Sequence, residues 1–318
     1  MKLHKNILLS AVLIVVLLLP GLSLADENNS NVGTRSFNFL KIQIGARPTA
    51  MGGAFTGVAD DESSLYYNPA GITGLEGKRF IAGYHNNIFD MQSGFMGYIH
   101  PLAEDKKVAV YVSYLNYGEF IRTDDNGVTD GTFGGSDILF AASYAMRAKP
   151  NMSIGGTIKI IYEKLDAYSA TGFAIDLGAK YSFDYGRTNV GVMVQNLGSQ
   201  LGSYVEDGET NPLPLYIKAG GSQRLKGLPV LIAGDIVLPT DNDPYFALGT
   251  EWLNLKPLYL RLGWSSFGEN YKTGAGNDDF AGFSIGFGVD YKKAQISYTI
   301  SPEADLGTSH RVTFTGGL

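Results

Sequence analysis

Apolar and polar residues alternate with a period of two through most of the chain beyond residue 77. Fourteen such segments stand out, at about 78–86, 92–101, 107–117, 137–147, 151–164, 169–183, 188–197, 214–224, 229–238, 245–253, 257–264, 280–291, 293–300 and 308–316. In the sixth, Phe173, Ile175, Leu177, Ala179, Tyr181 and Phe183 share one side, and Ala174, Asp176, Gly178, Lys180 and Ser182 share the other. In the fifth, Ile154, Gly156, Ile158, Ile160 and Tyr162 oppose Ser153, Gly155, Thr157, Lys159 and Glu163. A strand turns successive side chains to opposite faces, so each segment predicts a strand with one apolar and one polar face. The expected class is all-β.

Alternation alone fits two folds. A soluble sandwich points its apolar faces inward. A transmembrane antiparallel β-barrel points them at lipid and its polar faces into the lumen. The links between segments favour the barrel. Long ones, roughly 118–136, 198–213 and 265–279, alternate with brief ones, roughly 102–106, 148–150, 184–187, 225–228, 254–256 and 292. Outer-membrane barrels show this asymmetry, with an even strand count that leaves both chain ends on one side. Charge divides by the same parity. The brief links and their edges carry Lys106, Lys107, Arg147, Lys149, Arg187, Arg224, Lys226, Lys256, Lys292 and Lys293. The opposite set carries Asp124, Asp125, Asp130, Asp166, Glu206, Asp207, Glu209, Asp278, Asp279, Glu303 and Asp305 among others. The expected fold is a transmembrane antiparallel barrel of about 14 strands, with a soluble secreted β-sandwich as the alternative.

Composition narrows this further. Lys2, His4 and Lys5 precede the apolar run Ile7–Leu19 and a Ser23-Leu24-Ala25 cleavage pattern, which predicts a signal peptide over 1–25. No stretch is long and apolar enough for a transmembrane helix. The low charged share (18%) and the 41 glycines suit a membrane barrel. Cysteine is absent, which excludes disulfides, thiolate metal sites and a cysteine nucleophile. A net charge of −6 argues against a nucleic-acid partner. The expected organisation is a signal peptide, an N-terminal extension over 26–76, and a barrel over 77–318 in the bacterial outer membrane.

Little of the sequence points to catalysis. His85, His100 and His310 stand far apart with no metal-ligand spacing, and no nucleophile elbow, phosphate loop or dinucleotide fingerprint occurs. No enzyme activity, cofactor or metal is expected. Ionic residues concentrate on the polar faces: Lys159, Glu163, Asp176, Lys180, Lys218, Asp235, Glu251, Arg261, Asp290 and Arg311. Facing lipid at mid-depth would cost roughly 2–4 kcal/mol for Arg or Lys, so these are expected to face the lumen. Adjacent strands would set Lys159 near Asp176 and Glu251 near Arg261. Two roles are open for them: a paired polar filling, or a lining that selects solutes.

Residues 38–75 lack the period of two and are rich in small residues that allow close backbone approach. Asp60, Asp61 and Glu62 suit the first turn of a short helix over Ser63–Tyr67, which Asn68-Pro69 should end. This composition fits a compact hatch inside the lumen, containing Met51, Gly52, Gly53, Phe55, Asp60, Asp61, Asn68, Pro69 and Ala70; a periplasmic extension is the alternative. The motifs Gly45-Ala46-Arg47, Met51-Gly52-Gly53-Ala54-Phe55, Val58-Ala59-Asp60-Asp61 and Tyr67-Asn68-Pro69-Ala70-Gly71 resemble the N-terminal signature of the PorV/PorQ family of FadL-like barrels. The end, Leu306-Gly307-Thr308-Ser309-His310-Arg311-Val312, resembles that family's last strand. The chain departs from the pattern in ending Gly317-Leu318 instead of in an aromatic residue, and in having Tyr67 where many relatives have Trp. The resemblance implies a fourteen-stranded barrel with an N-terminal hatch, in contact with outer-membrane lipid. It implies one of two roles: transport of hydrophobic solutes, or binding of secreted proteins or secretion machinery, as in type IX secretion.

Overall fold

The computed structural model describes residues 31–205, 208–274, 276 and 278–318, so the expected signal peptide lies outside the described residues. Fourteen antiparallel strands close into one barrel. They are β1 (Arg79–Asn86), β2 (Gln92–Ala103), β3 (Lys106–Thr123), β4 (Thr129–Lys149), β5 (Met152–Leu165), β6 (Tyr168–Phe183) and β7 (Thr188–Gly202). The second half holds β8 (Tyr216–Arg224), β9 (Val230–Pro239), β10 (Tyr245–Trp252), β11 (Leu258–Ser265), β12 (Phe283–Tyr291), β13 (Ala294–Pro302) and β14 (Thr308–Gly317). Each strand pairs with its neighbours in sequence, and β1 closes on β14 with Arg79 opposite Gly317.

The faces point as a lipid-exposed barrel requires. Ile158, Leu177 and Ile296 are 53%, 53% and 43% exposed, whereas Thr157, Asp176 and Ser297 are 1%, 0% and 4% exposed. A sandwich would reverse this, because its apolar faces would meet in a dry layer. Phe140, Ile160, Val192, Leu248, Leu262 and Ile285 join the outer apolar surface.

Brief links at 104–105, 150–151, 184–187, 225–229, 253–257 and 292–293 share the rim where the hatch joins β1. The opposite rim differs from expectation. The loop expected at 118–136 is mostly strand: β3 continues to Thr123 and β4 starts at Thr129. Beyond the last β2 pair (Gln92 with Asn116) and the last β5 pair (Gly135 with Leu165), these two strands pair only with each other. They form a projecting ribbon with Phe120 and Phe133 in ring contact at 5.4 Å. Solvent meets both of its faces, so the sequence there carries no alternation to read. The link expected at 198–213 shifts to 203–215 because β7 runs to Gly202, and the one expected at 265–279 remains a long link, over 266–282, in which Ser266–Tyr271 coils into a 3-10 turn.

The hatch fills the lumen. It contains a 3-10 turn at Asn38–Lys41, α1 (Ala46–Ala50), α2 (Ser64–Tyr67) and a second 3-10 turn at Pro69–Gly74. The short helix α2 was legible from its acidic start and its Asn-Pro stop; α1, with Pro48 inside it, was not.

Candidate functional site: the filled lumen

The hatch touches the wall backbone to backbone, and glycines in the strands make that possible. At Gly263 an added Cβ would lie 2.0 Å from Gly52 N and 2.3 Å from the Met51 carbonyl carbon. At Gly155 it would lie 2.7 Å from Ala70 N and from the Pro69 carbonyl carbon. Side chains at these points would hold the hatch away from the sheet. Gly52 and Gly53 themselves adopt φ of +65° and +86°, a turn that an L side chain strains. It brings Met51 and Phe55 into a fully buried cluster with Val58, Tyr67 and Leu231.

Asn68 fixes the turn that follows. It is fully buried, and its Nδ2 donates to the Thr56 carbonyl (3.0 Å) and to the Ala179 carbonyl on β6 (3.1 Å). Its Oδ1 accepts from Ala70 N at 3.2 Å, which caps the 3-10 turn begun by Pro69. The side chain thus ties hatch to hatch and hatch to wall. Buried amides in this position cost free energy when a partner is lost, about 1–3 kcal/mol per orphaned group.

Ionic contacts bolt the lower hatch to the barrel. Arg47 of α1 reaches Asp60 (2.6 Å), Asp61 (2.9 Å) and Glu251 of β10 (2.7 Å). Glu251 also accepts from Arg261 of β11 at 2.7 Å, and Arg261 donates onward to Ser297 and Gln295, each at 2.9 Å. Gln295 donates to Asp290 at 2.7 Å. Burial raises the Asp60 carboxyl, but Arg47, Lys180 and Arg224 outweigh it and hold the group down at about 2. Lys180 of β6 donates to the carbonyls of Val58 (2.5 Å) and Ala59 (2.8 Å). Asp235 of β9 accepts the backbone N–H groups of Phe55 (3.0 Å) and Thr56 (2.8 Å). Glu62 pairs with Arg79 at 2.5 Å at the entry to β1.

The upper lumen is arranged differently. Lys159 and Asp176 form a buried pair at 2.6 Å, although their Cα positions are offset by two along the strands. Lys159 also donates to Asn196 Oδ1 at 2.8 Å. Asn196 sits in a bulge of β7 at φ +62°, where its N–H donates to Asp176 at 2.8 Å. Lys218 of β8 lies over the rings of Tyr67 (5.9 Å) and Tyr216 (5.2 Å). Arg311 of β14 is buried and donates to Ser309 at 2.9 Å. Glu163 stands apart near the rim, where it accepts from the Tyr204 hydroxyl.

Two small cavities flank the upper part of the hatch. One, about 20 Å³, is lined by Phe39, Leu40, Ile42, Ile44, Tyr111, Leu115 and Leu139, with Tyr66 and Lys159 at its polar edge. The other, also about 20 Å³, is lined by Leu40, Gln43, Tyr66, Tyr67, Gln195, Tyr216 and Lys218. Each is room for about one water. Leu40 and Tyr66 separate them, and the Tyr66 hydroxyl donates to the carbonyls of Leu40 (2.9 Å) and Ile42 (3.1 Å). Residues 34–44 are held from above by Ser36 on Gln200 (2.8 Å) and by Lys41 on Asp241.

Sequence reasoning did not single out Arg47, Tyr66, Asn196 or Asp137 as working groups. Arg47 had a signal, since it lies in a matched motif with two acids following. The Asn196 bulge had none, because a bulge breaks the period that exposes it. Among the described residues no cluster of metal-ligating side chains occurs.

No family model matches the sequence, and no curated protein matches it. Solved structures do match in fold. The Pseudomonas putida toluene transporter TodX superposes with a TM-score of 0.57 at 15% identity, over 86% of this chain and 96% of that one. The Ralstonia pickettii toluene transporter TbuX gives 0.60 at 12% identity, over 86% and 96%. A Pseudomonas aeruginosa FadL homologue gives 0.51 at 10% identity, over 85% and 96%. This chain shares the closed fourteen-stranded barrel fold of these structures.

Proposed function

We propose that this protein is a bacterial outer-membrane barrel of the FadL-like kind, within it of PorV/PorQ type, that passes hydrophobic compounds across the membrane. The observation that carries the reading is the apolar cavity beside Leu40 and Tyr66, bordered by the buried apolar cluster of Phe37, Phe39, Leu40 and Leu115, in a lumen that the hatch otherwise fills apart from the second, more polar cavity. The hydrocarbon-transporting barrels of the same fold add support. A solute needs more room than these cavities hold, so passage requires residues 34–44 to withdraw. Among the described residues they carry a single ion pair, Lys41 on Asp241, against the several ion pairs of Arg47, Asp60, Asp61 and Glu62 on 46–62, which makes them the part of the hatch assigned to move. The test is uptake of radiolabelled toluene and of a long-chain hydrocarbon by cells producing the protein, against cells with an empty vector. Uptake equal in the two would end the transport reading.

One observation favours a second role, binding of a secreted protein or secretion partner. The ribbon of residues 117–134 projects beyond the paired wall, tied to the β5–β6 turn through Arg122 on Asp166, and exposes Phe120, Ile121 and Val128 to solvent. Co-purification from outer membranes, with and without residues 119–132, tests it. A partner lost on that deletion supports this role, and an unchanged set of bound proteins opposes it.

A further inference from the structure

Asp137 on β4 and Glu163 on β5 are directly opposite in register, and both face the lumen near the outer rim. Like charges in that relation repel, and Asp137 is 1% exposed. The groups facing them are neutral: Tyr117 of β3 donates to Asp137 Oδ2 at 2.7 Å, and Tyr204 of the β7–β8 connection donates to Glu163. Among the described residues no lysine, arginine or histidine forms an ion pair with either acid; Arg122 and Asp166, further toward the rim, pair with each other at 2.6 Å. Asp137 Oδ1 is buried with no hydrogen-bond partner, and the direct cross-strand register sets the two carboxyls on the same face of adjacent strands. One proton held between them satisfies this geometry; two bare carboxylates do not.

We propose that Asp137 and Glu163 form a shared-proton clasp that keeps the outer mouth of the barrel shut. Tyr204 packs, with Tyr117, against the buried cluster that includes Phe37, Leu40 and Leu213. Leu213 belongs to the same β7–β8 connection as Tyr204, and the Pro212 carbonyl accepts from Ser36 N at 3.3 Å. With the proton in place, Glu163 holds Tyr204, and Tyr204, Pro212 and Leu213 cover the start of the hatch. Loss of the proton leaves two opposed anions. Glu163 then turns to water at the rim, Tyr204 leaves the cluster, and Leu213 and Phe37 are uncovered. The clasp shuts in acid and opens in alkali. The inference depends on the barrel and its cover, not on what passes through.

The absence of native cysteine makes the test direct. Leu213→Cys and Phe37→Cys are made singly, in lipid vesicles, and labelled with a membrane-impermeant maleimide between pH 5 and pH 9. Rates are divided by that of Val128→Cys on the exposed ribbon, which removes the thiol's own pH dependence. Heat-modified gel mobility confirms that each barrel is folded, and either cysteine alone suffices. The expected result is a normalised rate that rises at least tenfold with pH, and stays low when Glu163→Gln supplies a permanent amide donor to Asp137. A flat profile overturns the proposal, as does a rise that survives Glu163→Gln. A change produced at fixed pH by calcium or a chelator, with none produced by pH, also overturns it, since the acids would then hold a cation.

Discussion

Gly155 and Gly156 are neighbours on β5 that face opposite ways, and replacing each with alanine separates hatch contact from everything else. A Cβ at Gly155 would lie 2.7 Å from two backbone atoms of the hatch, neither the end of a flexible side chain. A Cβ at Gly156 would meet only the Asp176 carbonyl oxygen and the Leu177 side chain, both at 3.5 Å. Overpacking of the first kind costs about 1–3 kcal/mol. The second removes a strand glycine and gains about 0.5–1 kcal/mol. If the wall holds its shape, the loss at Gly155 falls on hatch docking and raises the undocked fraction about 5- to 150-fold. Limited trypsin digestion in vesicles reads that fraction through cleavage after Lys41, while heat-modified gel mobility reads the barrel. Gly155→Ala should speed hatch cleavage and leave the barrel folded; Gly156→Ala should match or exceed the parent. Equal cleavage in both, or faster cleavage in Gly156→Ala, would refute the reasoning.

Other expectations follow from the same geometry. Asn68→Ala removes two donated bonds and a cap, so hatch protection from hydrogen exchange should fall by about 2–3 kcal/mol while strand amides far from it keep theirs. Ile158→Lys puts a charge on the lipid face and should weaken refolding into vesicles by roughly 2–4 kcal/mol, measured by urea titration. Asp60 has its carboxyl depressed to about 2 by Arg47, Lys180 and Arg224, against an ordinary 3.8. A depressed acid stabilises above its ordinary value and ceases to do so as pH falls through its folded value. Hatch docking should therefore weaken between about pH 4 and pH 2, and hydrogen exchange of residues 46–62 at stepped pH reads it. Protection unchanged across that window would show that Arg47 does not hold the hatch.

The strands were legible because lipid and lumen demand opposite chemistry at successive positions. Thr157, Ile158 and Lys159 show it in three residues. Legibility stopped where that demand stopped. The ribbon at 117–134 meets solvent on both faces, and its strands read as loop. The β7 bulge at Asn196 shifts the period, and no pattern marks it. Helix α1 is a single turn held by contacts to β12, β13 and β14, with Ala46 N bonded to Thr313 and its carbonyl to Thr299. Tertiary contact makes it helical, so local sequence carries little trace. In the lumen, the polar face told which ions are present. It did not tell which pairs form, since Lys159 reaches Asp176 diagonally while Glu251 meets Arg261 directly across. The hatch's role as the common partner of these ions arises from the fold alone.

Depth-dependent quenching tests the arrangement on which all of this rests. Single cysteines at Ile158, Leu177, Ile296, Thr157, Ser297 and Thr299 would carry a fluorophore, in vesicles containing brominated lipid. The first three should be strongly quenched by the acyl chains and the last three should not. Quenching of Thr157, Ser297 and Thr299 in preference to the others would place the apolar faces inside and contradict the account.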